Sequence, residues 1–294
     1  MSMPPEDNAA RIFTACRPAL MGLAYRMLGE RGEAEDVVQE AFLRWTRADA
    51  KTIAAPKAWL IRVTSRLCID RLRALKRQRA AYDGPWLPEP WMAPDPWAIL
   101  DKADTLADSL RLAFLLMLER LSPEERAAFL LRAAFDTPYG EIAALLERSQ
   151  AACRQLVSRA RKHLAAKGHA KPREHNASAL LTAFVNACES GEAERLKAVL
   201  SADVELWADG GGKALAARNV LVGRARVAAF LIGIMRKRHA DILIAPARVN
   251  NSPGFIFRDD SGLIAITALD LDAGGIRGIF VQRNPDKLAA CGAV

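Results

Sequence analysis

Between Lys57 and Arg79 the chain sets Lys57, Arg62, Arg66, Arg71, Arg73, Lys76, Arg77 and Arg79 against one acid, Asp70. Arg62, Arg66, Arg73 and Arg77 follow one another at intervals of 4, 7 and 4, which stacks them along one side of a helix. A row of one sign repels itself unless an anion compensates it, and the anion that suits such a row is a phosphate backbone. Nearby Trp59 either stacks on an unpaired base or packs in the core. A second basic run, Arg154 to Arg173, contains no acid. The stretch between them reverses the sign, with Asp83, Glu89, Asp95, Asp101, Asp104 and Asp108 against Lys102.

Hydrophobic periodicity makes most of residues 8 to 168 helical. The first arginine row rides on a helix from Pro56 to Arg79 whose apolar stripe is Leu60, Val63, Leu67, Leu72 and Leu75. Ahead of it, "GEAEDVVQEAFLRW" (residues 32–45) buries Val38, Phe42 and Trp45 and turns Asp36, Gln39, Glu40 and Arg44 outward. Taken alone, that pattern is a solvated amphipathic helix with its acids near the favourable end of the dipole. The second basic run lies on the last of three helices. Ser122, Pro123 and Glu125 form a capping box, and Thr137-Pro138 starts a helix carrying Ile142, Leu145 and Leu146. Ser149 starts the third, with Cys153, Leu156, Val157, Ala160 and Leu164 inside and Gln150, Arg154, Gln155, Arg159, Arg161 and Lys162 outside. Two short helices with a tight joint and a basic partner are a helix-turn-helix, whose last helix reaches major-groove base edges.

No helix can run through "GPWLPEP" (residues 84–90), where Pro85, Pro88 and Pro90 are soon followed by Pro94 and Pro96. Trp86, Trp91 and Trp97 make it more than a flexible spacer. Its prolines hold it extended and lower the entropy lost on docking, so Trp86, Leu87 and Pro88 are anchors for a pocket. That pocket belongs either to the C-terminal part, near Asp209 to Lys213, or to a partner.

After the break at residues 167–172, two helical segments over about 177–200 give way to strand patterns at Val204–Trp207, Ile242–Val249, Phe255–Phe257, Leu263–Leu271 and Ile276–Gln282, with a helix over about Arg224–Arg238. This is an α+β domain. Proton-transfer catalysis in such a domain would need a carboxylate base and an oxyanion donor. Asp209, Asp241 and Asp270 are the possible acids, but Tyr25, Tyr82 and Tyr139 lie outside the domain and its one histidine, His239, sits in a basic run. No catalysis is expected. "DGGGK", Asp209-Gly210-Gly211-Gly212-Lys213, is either a flexible hairpin loop or a surface that lets another segment approach closely. "NPDKL", Asn284-Pro285-Asp286-Lys287-Leu288, is by itself an ordinary turn.

The composition of these 294 residues, 51% apolar and 26% charged, is globular, with a net charge of +8 that favours a polyanionic partner. Five scattered cysteines and four histidines form no ligand cluster, so neither metal nor cofactor is expected. No apolar run is long enough for a membrane span, and the opening "MSMPPED" is unlike a signal peptide, which points to the cytoplasm.

"AEDVVQEAFLRW", "KAWLIRVTSRLCIDRLR" and "LSPEERAAFLLR…YGEIAALLERSQAACRQLVSRARKHL" resemble, in order and spacing, the two domains of bacterial alternative sigma factors of the extracytoplasmic-function (ECF) group. The resemblance covers about residues 8 to 168. It implies a protein that binds the RNA polymerase core and directs promoter-specific initiation. Asp36, Gln39 and Glu40 then fall where the family contacts the clamp helices of the β′ subunit. Lys57, Trp59, Arg62, Arg66, Arg71 and Arg73 fall where it holds the −10 element, and Ser149, Gln150, Arg154, Gln155, Arg159 and Lys162 where it reads the −35 element beside the β flap. "WLPEP", "DGGGK" and "NPDKL" are similar to signatures of a subgroup with a fused SnoaL-like domain. They imply an intramolecular contact that regulates in place of a separate anti-sigma factor. The expected layout is a region 2 domain (8–80), an acidic linker (81–108), a region 4 domain (109–168), a short linker (169–176), the SnoaL-like domain (177–283) and a tail (284–294). A stand-alone helix-turn-helix regulator and a small-molecule-binding or catalytic SnoaL-like protein are the alternatives.

Overall fold

The computed structural model describes residues 5–48, 53–92, 111–165, 174–237 and 241–291. Trp97, the acids Asp95, Asp101, Asp104 and Asp108, the break at 167–172 and His239 lie outside them. The chain divides into two compact units: Met1–Ala80, Asp95–Leu110 and Phe114–Lys167 form one, and Ala81–Pro94, Arg111–Ala113 and Gly168–Val294 the other.

The first unit opens with α1 (Pro5–Leu28), α2 (Arg31–Arg47) and α3 (Pro56–Arg79), packed against one another. Trp45 is the anchor of this bundle. Its ring is 2% exposed, its indole N–H donates to the Ala9 carbonyl at 3.0 Å, and Trp59 packs on it with centroids 5.5 Å apart. On α3 the buried line is Leu60, Ile61, Thr64, Ser65, Cys68, Ile69, Leu72 and Leu75, while Val63 and Leu67 are only half-buried. The expected stripe is therefore rotated. α3 meets both α1 and α2, and the small Thr64, Ser65 and Cys68 let those helices approach closely; Ser65 Oγ donates to the Ile61 carbonyl at 2.7 Å.

α4 (Leu112–Glu119), α5 (Pro123–Ala134), α6 (Tyr139–Leu146) and α7 (Gln150–Ala165) follow. The Ser122 capping box forms in both directions, Oγ accepting from Glu125 N at 3.1 Å and the Glu125 carboxylate from Ser122 N at 3.0 Å. α6 stops at Glu147, whose left-handed φ of 54° turns the chain, and Ser149 Oγ then caps α7 by accepting from Ala152 N at 3.1 Å. Ile142, Cys153, Leu156, Val157, Ala160 and Leu164 are buried, as the periodicity requires.

In the second unit α8 (Glu174–Ser190) and α9 (Ala193–Val199) lead into β1 (Leu200–Asp209), β2 (Leu221–Val222), α10 (Arg224–Arg236), β3 (Leu243–Val249), β4 (Ser252–Asp259), β5 (Gly262–Asp272), β6 (Gly275–Gln282) and α11 (Pro285–Ala289). The six strands form one sheet in the order β2-β1-β6-β5-β4-β3, with β1 and β6 parallel and every other pair antiparallel. Asn250 and Asn251, at φ 50° and 59°, make the two-residue turn between β3 and β4. Phe184, Leu196, Val227, Ala228 and Ile232 from the helices pack with Leu206, Leu269, Leu271, Ile276 and Ile279 from the sheet. Two elements depart from expectation. β2 is too short to carry a period, and "NPDKL" is not a turn but a helix, capped by Asn284 Oδ1 accepting from Asp286 N at 3.0 Å.

Candidate functional site

Three surfaces of the first unit carry the residues singled out from the sequence. On α2, Asp36 and Gln39 are exposed and Glu40 is half-buried, bonded to Arg44 at 2.8 Å. Leu43, 41% exposed, follows Asp36 by seven residues and so shares its face. Its place on this face follows from the spacing and is an addition to the residues singled out from the sequence.

On α3, Lys57, Arg62, Arg66, Arg71 and Arg73 are exposed and Trp59 is half-buried against Trp45. The expectation that this row has only Asp70 to offset it does not hold. Arg71 pairs with Glu33 of α2, Arg73 with Glu124 of α5 at 2.5 Å, and Arg66 with Glu147 at 3.3 Å. Counting acids along one helix missed these because the fold brings them from other helices. Lys57, Arg62 and Arg77 make no hydrogen bond or ion pair among the described residues. Arg66 and Arg73 are thus each paired with a carboxylate from another part of the fold.

Beneath these exposed pairs lies a buried polar junction. Arg79, 11% exposed, bonds Glu30 at 2.8 Å, Glu119 at 3.0 Å and the Leu28 carbonyl at 2.6 Å. Arg126, 1% exposed, donates to the Met27 and Leu118 carbonyls and pairs with Glu119 at 2.8 Å. Lys76 Nζ donates to the Leu121 carbonyl at 2.5 Å. Burial pushes the Glu119 carboxyl up, but Arg126 and Arg79 together hold it below the usual carboxylate value. Burial, with Arg126 nearby, holds the Lys76 ammonium below its ordinary value. A charge cluster of this kind loses several kcal/mol if one member is removed, because the others stay buried without a partner.

On α7, Ser149, Gln150, Arg154, Gln155, Arg159 and Lys162 are all exposed, on the side opposite the buried stripe. Arg159 spends its charge on Glu125 at 3.4 Å. Arg154 has no hydrogen bond or ion pair among the described residues; its guanidinium lies over the Tyr139 ring, 5.7 Å from the centroid. Tyr139, Arg154, Val157, Ser158, Arg161 and Lys162 line an open groove of about 380 Å³.

The second unit joins the linker, the glycine loop and the C-terminal helix around one carboxylate. Asp209, at the end of β1, is 0% exposed. Its Oδ2 accepts from the Leu87 backbone N–H at 2.9 Å and from Lys287 Nζ at 2.7 Å; its Oδ1 accepts from the Tyr82 hydroxyl at 2.6 Å and from Gly211 N at 3.0 Å. Lys287 Nζ also donates to the Leu87 carbonyl at 2.6 Å and lies 4.4 Å from the centre of the Trp86 ring. Leu87 is 0% exposed and Pro88 is buried beside it, while Trp86 remains half-buried. The backbone of Leu87 is thus held at both its N–H and its carbonyl, the pattern by which a strand is recognised independently of side chains.

The glycines have a steric reason. A Cβ on Gly210 would stand 2.2 Å from the Ala214 carbonyl oxygen, and one on Gly211 would stand 2.4 Å from Asn284 Nδ2. Gly211 and Gly212 have φ of 60° and 69°. The loop is not a tight hairpin: the chain runs on to residue 221 before β2 begins. Asn284 Nδ2 reaches the Tyr82 hydroxyl at 2.9 Å, Leu288 is buried, and exposed Lys213 pairs with exposed Asp286 at 2.5 Å beside Pro285. A second anchor holds Trp91, whose backbone N–H donates to Asn250 Oδ1 at 2.8 Å and whose carbonyl accepts from Asn250 N at 2.8 Å.

Sequence reasoning set the tyrosines apart from the C-terminal carboxylates, and Tyr82 overturns that. It lies in the second unit and bonds Asp209 directly. The separation of 127 positions gave no local signal for this pairing. Asp209 and Tyr82 resemble an acid and a donor for proton chemistry, yet both are spent on the linker and α11. Asp241 is exposed, and Asp270 lies 3.9 Å from Arg111. Among the described residues no group of three or more His, Cys, Asp or Glu could hold a metal, and no helix is long and apolar enough to cross a membrane.

Residues 12–78 match the family Sigma-70 region 2, and residues 111–164 match Sigma-70, region 4. The ECF RNA polymerase sigma factor SigJ of Mycobacterium tuberculosis is 36% identical over 94% of this chain and 91% of its own length. The probable ECF RNA polymerase sigma factor SigI of the same organism is 36% identical over 97% of both. The crystal structure of SigJ matches the fold with a TM-score of 0.74 at 33% identity, covering 94% of this chain and 97% of the other. These relatives extend through the α+β unit, which a stand-alone helix-turn-helix regulator leaves unexplained.

Proposed function

The chain belongs to the ECF RNA polymerase sigma factors, bacterial initiation factors that join the polymerase core to a promoter, and from that premise we propose a division of labour among its surfaces. The α2 face of Asp36, Gln39 and Glu40, with Leu43 added, docks on the clamp helices of the β′ subunit. Lys57, Trp59, Arg62, Arg66, Arg71 and Arg73 of α3 hold the melted −10 strand, which calls for cations and an aromatic. Ser149, Gln150, Arg154, Gln155, Arg159 and Lys162 of α7 read the −35 duplex in the major groove. The protein acts in the cytoplasm, where its polymerase is.

The α+β unit is SnoaL-like and regulatory rather than catalytic. The observation that carries this reading is the engagement of Asp209 with the linker at Leu87 and with Lys287 of α11. A linker whose backbone is held at Leu87 and Trp91 is withheld from any groove of the polymerase. Releasing it frees Trp86, Leu87 and Pro88 for that partner. Regulation is thus built into the chain, in place of a separate anti-sigma protein.

Mixing the full chain with bacterial core polymerase tests the division directly. Co-migration on gel filtration is expected, and Asp36→Ala with Gln39→Ala and Leu43→Ala should weaken it at least tenfold while leaving the thermal melting profile unchanged. Undiminished co-migration of that variant would remove α2 from the polymerase interface.

A further inference from the structure

We propose that Tyr139 is a positioning residue that presents Arg154 to a base edge of the upstream promoter element, an inference that rests on α7 being the duplex-reading helix. The argument begins with what Arg154 lacks. All five of its N–H donors are unspent among the described residues, whereas Arg159 on the same helix is tied to Glu125. An exposed arginine normally wanders among many rotamers and loses that side-chain entropy when a ligand fixes it. Arg154 instead lies over the face of Tyr139. Contact through the face of an aromatic ring restrains a guanidinium and leaves its donor edge open.

The ring is itself held. Tyr139 is the first residue of α6, and Arg132 approaches it with its guanidinium carbon 5.5 Å from the centroid. Arg132 donates to the Asp136 carbonyl at 3.1 Å and the Thr137 carbonyl at 3.4 Å, so it braces the turn that delivers the ring. Gln150 Nε2 lies beside Gly140, next in sequence, 3.6 Å from where a Cβ would stand, an ordinary contact. The start of α7 therefore rests on the start of α6 at the place where Arg154 projects. Arg154 is the fifth residue of α7, within the half of a recognition helix that reaches base edges. A restrained planar fork with free donors suits guanine, whose O6 and N7 accept two parallel bonds in the major groove. Arg161 and Lys162, farther along the groove, suit phosphates.

The test is transcription by the full chain with bacterial core polymerase from a DNA library randomised across the upstream element, with transcripts counted by sequencing. Wild type is expected to enrich guanine at one or two positions. Arg154→Ala should flatten that preference by about 5- to 150-fold, the range a bidentate arginine–guanine pair supports. Tyr139→Leu should flatten the same positions and no others, Tyr139→Phe should restore them, and the double variant should be no flatter than Arg154→Ala. Arg161→Ala should lower yield evenly across the library. The proposal is overturned if Tyr139→Leu keeps the guanine preference, if it acts at positions Arg154→Ala leaves alone, or if Arg154→Ala flattens none. A wild-type chain that initiates nowhere in the library refutes the promoter-reading role of α7 itself, a different result from an intact profile in Tyr139→Leu.

Discussion

Lys287 Nζ and Asp209 Oδ2 meet at 2.7 Å, with side chains 9% and 0% exposed, across 78 positions of sequence. Two opposite charges buried this fully are interdependent: each is tolerated because the other is there, and both are bonded to Leu87 of the linker. Losing either one releases the linker as well as exposing the charge imbalance.

Asp209→Asn keeps the shape and removes the charge, leaving the Lys287 ammonium buried without a counter-ion. The expected cost is about 3–5 kcal/mol, read as a lowered melting transition of the α+β unit. Lys287→Met combined with Asp209→Asn should recover part of that loss, since the buried ammonium left without a counter-ion is then gone as well. A double variant as unstable as the sum of the singles would contradict the coupling.

Leu87, fully buried and held through its backbone, is expected to govern the order of its whole segment. Leu87→Ala leaves a cavity worth about 2–5 kcal/mol and should raise amide exchange over residues 85–92 by at least tenfold. The melting of the first unit should stay where it is. Faster exchange at Trp86 and Leu87 alone, with Trp91 still protected, would argue that Trp91 and Asn250 suffice as the anchor.

Glu119 sets the acid limit of the first unit. Its folded-state carboxyl titrates below the ordinary value near 4.5, so its contribution is fully present above that value and is lost as pH falls through the lower, folded one. Stability measured by urea unfolding should therefore drop below about pH 4.5. Glu119→Gln should lower stability at pH 7 and make the profile flatter in that acid window. An unchanged acid slope would remove Glu119 as its source.

The pair of Arg73 and Glu124 is placed to compete with the phosphates that we propose the α3 row holds. Glu124→Gln should tighten binding of a single-stranded −10 oligonucleotide by the holoenzyme a few-fold, with stability shifted by less than 1 kcal/mol because Arg73 is half-exposed. Weaker binding would mean the pair positions Arg73 rather than masking it.

Much of this was legible in the chain. The Ser122 box, the Ser149 cap and the period of Cys153, Leu156 and Val157 are local signals, and the helices they mark form as read. "WLPEP" reads as an anchor either for the region of "DGGGK" or for a partner and "NPDKL" by itself as a turn, whereas in the structure Asp209 joins all three. What escaped was long-range. Tyr82, Gln282 and Asn250 carry no motif, and their roles exist only once β1 lies beside β6 and the β3–β4 turn meets the linker at Trp91. The acids that offset the α3 arginines were invisible for the same reason, since Glu33, Glu124 and Glu147 lie on other helices. Helical "NPDKL" was missed because five residues are too few to show a period.

The most direct measurement of the central claim is the transcript yield of the full chain and of its Asp209→Asn/Lys287→Met variant with saturating core polymerase, compared with each at limiting core. Both proteins should initiate from the same promoters at saturation. At limiting core, a linker set free from Asp209 and Lys287, with Trp86 and Leu87 intact, should raise the yield several-fold. Identical yields under both conditions would contradict a regulatory clasp, and no initiation by the wild-type chain at any core concentration would contradict the sigma factor reading itself.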